Sequence, residues 1–97
     1  MSSQQVEQIE ISLAGIMDVE QLHALLMERL AFPHYYGKNW DAFWDVITEP
    51  DRLPCNLKFI GWVDFQSRLP EAARMLFECL RDAPAKYSYV RCRVEYI

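Results

Sequence analysis

The chain has 97 residues, of which 52% are apolar and 25% charged, and a net charge of −4. That length supports one domain (residues 1–97) with a single core, and the composition is that of an ordinary soluble globular protein. The acidic balance argues against sequence-independent nucleic-acid binding, which needs a basic surface to displace counterions, and leans toward a basic partner.

Residues 6–13, VEQIEISL, alternate cleanly, with Ile9, Ile11 and Leu13 on one side and Gln8, Glu10 and Ser12 on the other. That is the pattern of a strand with one buried face. Gly15 breaks it. Asp18 then opens a helix with Gln21 three residues on, a capping box, and Met17 with Leu22 would form a hydrophobic staple. Val19, Leu22, Leu25, Leu26 and Leu30 form its apolar stripe, and Pro33 stops it. A loop containing His34, Tyr35, Tyr36 and Gly37 leads to Asn39, an N-cap residue for a second helix reaching about Glu49. Pro50, Asp51 and Pro54 mark a connection. Leu57 to Trp62 reads as a second, central strand, and Val63 to Arg68 as a brief helix or turn. Pro70 suits the first position of a helix running to about Ala83 with Ala73, Leu76, Phe77 and Leu80 inward. Tyr89 to Tyr96 alternates again, with Val90, Cys92, Val94 and Tyr96 on one face, and forms a third strand.

This order implies parallel strands joined by right-handed helical crossovers. Strand order 2-1-3 would bury the first strand on both faces, which its polar residues oppose. Order 1-2-3 leaves one sheet face wet. The predicted fold is therefore a two-layer α/β domain, with a three-stranded parallel sheet in order 1-2-3 and three to four helices on one face. Cys55, Cys79 and Cys92 are an odd number without CxxC spacing, so neither a disulfide framework nor a zinc site is expected. Cys79 and Cys92 occupy apolar positions and read as core thiols. No apolar run approaches a membrane span, and MSSQQVEQIE lacks the regions of a signal peptide, so a cytoplasmic location is expected.

The most informative stretch is Pro33 to Thr48, PHYYGKNWDAFWDVIT. Trp40, Phe43, Trp44 and Ile47 are spaced as a buried helical stripe. Asp41 and Asp45 stack one turn apart on its flank, and Thr48 extends that flank. An Asp in the first turn of a helix is favoured by the dipole, which gives Asp41 an ordinary structural explanation. Asp45 lies beyond the first turn and repels Asp41 by about 0.2–0.5 kcal/mol, so the pair points outward, to a partner. Tyr36 is expected in the core and Tyr35 outside, since neighbours in an extended loop point opposite ways. Gly37 serves either a positive φ or close packing.

The segment YYGKNWDAFWD resembles the signature of barstar-like ribonuclease inhibitors: a tyrosine pair, Gly, any residue, Asn, then Asp, Ala, an apolar residue, Trp and Asp. The match is gapless over these residues. Elsewhere the resemblance rests on chain length, Pro54, and a C-terminal helix and strand. It implies a stoichiometric inhibitor, or immunity protein, that plugs the active site of a small basic ribonuclease with this helix and its preceding loop. The carboxylates would mimic RNA phosphates and accept charge-assisted bonds. By this carry-over, the partner-binding residues are Tyr35, Asp41, Trp44, Asp45, Thr48 and, from the last helix, Asp82. The resemblance further implies no catalysis, cofactor or metal, and a monomer forming a 1:1 complex that protects its cell from an exported ribonuclease or a neighbour's toxin. Two departures bear on specificity. Glu49 and Pro50 follow Thr48 where the founding member has Gly-Trp, and Lys38 sets a cation beside the acidic flank.

Two other readings fit parts of the pattern. Asp41 and Asp45, with His23 or His34, could form an acid–base site, but no second polar cluster or Gly-rich loop builds a pocket around them. A metal role for Asp41, Asp45 and Glu49 lacks convergent ligands. An acidic-aromatic adaptor for a basic partner other than a ribonuclease fits the same flank, and only the family signature separates the two.

Overall fold

Side-chain alternation in three short strands sorts residues onto the two faces of one sheet. In the computed structural model, which describes residues 8–97, the elements follow as β1 (Gln8–Ser12), α1 (Val19–Arg29), α2 (Trp40–Ile47), β2 (Asn56–Ile60), α3 (Trp62–Arg68), α4 (Pro70–Lys86) and β3 (Arg93–Tyr96). The strands are parallel in order β1-β2-β3, with Glu10 beside Lys58 and Lys58 beside Glu95. The predicted strand order and two-layer α/β architecture are therefore those observed. Ile11, Leu57 and Phe59 are buried under the helices. The opposite face carries Glu10, Lys58 and Glu95, with the Lys58 ammonium 3.8 Å from one carboxylate and 3.9 Å from the other. A wet face needs no second helical layer, which is why order 1-2-3 suits this sequence.

Local signals account for most element boundaries. The Asp18 carboxylate accepts from the Gln21 N–H at 2.8 Å and caps α1. Gln21 Oε1 accepts from the Met17 N–H at 2.8 Å, one residue earlier than the usual capping box. Met17 remains 59% exposed, so the expected staple is not buried. Gly15 and Gly61 take φ values of 80° and 81°, where an L side chain is strained. Arg68 ties α3 back to the β1–α1 loop, donating to the Ile16 and Leu13 carbonyls at 3.1 Å each.

Several boundaries differ from expectation. Val6 and Glu7 of the predicted first strand lie outside the described residues. The second strand ends at Ile60, because Gly61 turns the chain and buried Trp62 opens α3, its ring 4.6 Å from Tyr96. The third strand starts at Arg93, not Tyr89: β2 begins only at Asn56, so residues 89–92 have no ladder to join. α4 continues through Pro84 to Lys86 and buries Ala72, Ala73, Leu76, Leu80 and Ala83. Phe77, expected inward, is 41% exposed and lies 5.3 Å from the Tyr96 ring. In α1, Val19 is exposed and His23 takes a fully buried place between Leu22 and Leu26. Cys79 and Cys92 are half-buried rather than fully enclosed. Burial pushes the Cys92 thiol pKa up to about 11.

Candidate functional site

Asn39 fixes the entry to the site. Its side-chain oxygen accepts from the Ala42 N–H at 2.7 Å, while its amide nitrogen donates back to the Gly37 carbonyl at 3.3 Å. Gly37 is closely packed: a Cβ there would lie 3.2 Å from Asn39 Nδ2 and 3.4 Å from Ala42 Cβ, a tight fit that those side chains would have to ease. The positive φ of this turn belongs instead to Lys38, at 56°.

The two tyrosines part as expected. Tyr36 is buried, and its hydroxyl lies 2.6 Å from His23 Nδ1. Phe32 packs against it at 5.0 Å. Burial, followed by the nearby Cys79 thiol, raises the Tyr36 pKa and keeps the phenol neutral. Tyr35 is 73% exposed, with His34 as its one ring neighbour among the described residues, at 5.7 Å. The buried ring thus anchors the loop that presents the exposed one.

The buried face of α2 is centred on Phe43, Val46 and Ile47. It is rotated from the expected stripe, so Trp40 and Trp44 become half-buried flanks. Trp40 meets the His23 ring edge-on at 4.5 Å, and Trp44 lies 6.4 Å from Tyr87. This rotation leaves Asp41 and Asp45 exposed, one turn apart, beside the two indoles. Among the described residues neither carboxylate has a cationic partner, whereas Glu10, Glu49, Glu71, Glu78, Asp82 and Glu95 all do. Lys38 is exposed and forms no ion pair with them.

The remaining predicted contacts are more committed. The Thr48 hydroxyl donates to the Trp44 carbonyl at 2.8 Å, so its proton closes its own helix. Asp82 is exposed on α4, which packs against α2, but its carboxylate accepts from Arg81 Nε at 2.7 Å. That bond holds the Asp82 carboxyl below its usual pKa. Glu49 does not lengthen the acidic flank either. It pairs with Arg52 at 2.6 Å, and Arg52 reaches the Ala31 carbonyl at 3.4 Å.

His23 is enclosed by Tyr36 and Trp40, with its Nε2 buried and without a hydrogen-bond partner among the described residues, so it cannot assist the aspartates. No group of three or more His, Cys, Asp or Glu side chains among the described residues could hold a metal ion. No helix among them is long and apolar enough to cross a membrane.

Sequence reasoning missed Tyr89, whose hydroxyl donates to the Thr48 carbonyl at 2.7 Å and ties the α4–β3 connection to the end of α2. No local signal links residues so far apart in the chain.

Comparison with known proteins places this geometry in a family. The chain is 43% identical over 47 residues to "Putative ribonuclease inhibitor YrdF" of Bacillus subtilis (strain 168), an alignment covering 48% of this chain and 38% of that relative. The chain thus matches well under half of that protein's length. The family model for barstar, the barnase inhibitor, matches residues 6–96. With nearly the whole described chain inside that match, the protein belongs to the barstar family.

Proposed function

We propose that this protein is a stoichiometric inhibitor of a small basic ribonuclease, acting in the cytoplasm as an immunity protein. The observation that carries this reading is the un-neutralised pair Asp41 and Asp45, held beside exposed Tyr35 on a helix whose other side is locked in the core. Membership in the barstar family and the printed name of the Bacillus relative support a ribonuclease as the target. An active site built for RNA presents converging cations to phosphate oxygens. Two carboxylates one helical turn apart, with no cation of their own among the described residues, offer acceptors of the same charge and accept bidentate bonds.

In this mechanism Asp45 is the principal phosphate mimic and Asp41 its neighbour. Tyr35 supplies a ring where a base or catalytic imidazole lies, and Trp44 contacts the partner at its exposed edge. Association is steered by the acidic surface and slows with added salt. The inhibitor forms a 1:1 complex and turns nothing over.

Titrating RNA cleavage by a panel of barnase-type ribonucleases with wild type and Asp45→Ala tests this directly. Wild type is expected to inhibit at one equivalent. Loss of a charge-assisted contact of about 1.5–3 kcal/mol weakens Asp45→Ala by about ten- to a hundred-fold. A partner that still binds the protein while saturated with RNA or mononucleotide would identify an adaptor instead.

A further inference from the structure

We propose that Tyr89, with Tyr87, extends the ribonuclease-binding surface past the C-terminal end of α2, as an aromatic ledge that receives cationic and aliphatic side chains beside the partner's active site. This inference rests on the function proposed above. Its basis is a row of three rings running from the acidic helix onto the α4–β3 connection. Trp44 lies 6.4 Å from Tyr87, and Tyr87 lies 5.5 Å from Tyr89. The row is continuous with the flank that carries Asp41 and Asp45, because Trp44 belongs to both.

The ledge is held rigidly. The Tyr87 N–H donates to the Ala83 carbonyl at 2.9 Å, the Val90 N–H to the Tyr87 carbonyl at 3.0 Å, and Val90 is buried. The Tyr89 hydroxyl is fixed on Thr48, yet Tyr89 remains 49% exposed. A strut between α4–β3 and α2 explains the hydroxyl but not an open ring. A ring ordered before binding loses little freedom when a partner covers it, which is the property of an aromatic interface anchor.

The chemistry of the partner follows from the same surface. Lys86 Nζ already sits 5.8 Å from the centre of the Tyr87 ring, so this row accepts a cation in the free protein. Among the described residues Tyr89 has no such cation. A basic partner drawn to Asp41 and Asp45 supplies one, together with the aliphatic stem of its Arg or Lys.

The test uses a ribonuclease that wild type inhibits and measures association and dissociation rates for Asp45→Ala, Tyr89→Phe, Tyr89→Ala and Tyr89→Lys, with melting temperatures alongside. Tyr89→Phe keeps the ring and loses the bond to Thr48, and its dissociation rate should stay within about two-fold of wild type. Tyr89→Ala should dissociate more than about five-fold faster, as a contact residue does, with its association rate and salt dependence unchanged because no charge is lost. Tyr89→Lys places a like charge against the basic partner, and should slow association in a way that added salt relieves. Wild-type kinetics for Tyr89→Ala and Tyr89→Lys, or equal losses in Tyr89→Phe and Tyr89→Ala, overturn the ledge and leave at most a strut. If Asp45→Ala also behaves as wild type, the acidic-helix mechanism fails on its own. If wild type inhibits no ribonuclease, both readings fall.

Discussion

At the scale of single residues, His23 is a buried side chain that the proposed inhibitory surface does not use. It is fully buried in α1, bonded to Tyr36 and capped edge-on by Trp40, so one imidazole supports both the loop and the helix of the candidate site. Burial lowers its pKa from the usual value near 6.5. Below about pH 6.5 the unfolded chain then binds more protons than the folded one. The contribution of His23 to stability is therefore complete above that pH and is lost as pH falls toward the lowered pKa. Melting temperatures from pH 8 to 5 should fall on the acid side for wild type and fall less for His23→Phe; a flat wild-type profile would contradict this. Asp45→Ala belongs to the same scale. Removing one of two like charges at one-turn spacing should leave stability unchanged or raise it by about 0.2–0.5 kcal/mol, while inhibition weakens by about ten- to a hundred-fold. A clear drop in melting temperature would make Asp45 a structural residue.

At the scale of elements, the phase of α2 decides which residues are core and which are exposed. Counting turns from Trp40 places both indoles on the buried face. Packing against α4 rotates the helix instead toward Phe43, Val46 and Ile47. The difference is about a sixth of a turn, and the sequence is ambiguous there because apolar residues surround much of this short helix. Phe43, fully buried, should cost about 3–5 kcal/mol when truncated to Ala. Trp40 is half-buried, and Trp40→Ala should cost about half as much, since only part of its area leaves water on folding. Chemical denaturation of the two variants checks the phase, and a larger loss for Trp40→Ala would restore the original stripe. Caps were legible because a side chain three residues from its target makes a local bond, as Asp18 and Asn39 do. Strand limits were less so, since the start of β3 depends on where β2 begins, far away in sequence.

At the scale of the whole molecule, the two layers divide the work. The helical layer encloses the core and carries the acidic flank, while on the open sheet face one cation, Lys58, sits between two carboxylates, Glu10 and Glu95. Those side chains are 27% to 53% exposed, so the row is worth little. Lys58→Ala should cost less than about 1 kcal/mol, shrinking further in high salt, whereas a loss of several kcal/mol would mark a buried network. The acidic flank is distinguished by its place, two exposed carboxylates one turn apart beside Trp40 and Trp44, since Asp18, Glu20, Glu28, Asp51 and Asp64 likewise form no ion pair among the described residues.

The sequence by itself determined the strand order, the caps, the family signature and the separation of Tyr35 from Tyr36. Each rests on periodicity or on bonds between residues a few positions apart. Only the tertiary structure decided the rotation of α2, the burial of His23 under Trp40, the engagement of Glu49 by Arg52 and of Asp82 by Arg81, and the reach of Tyr89 to Thr48. The last of these spans two separate elements, and local spacing carries no information about which distant backbone carbonyl a phenol will find once the layers close.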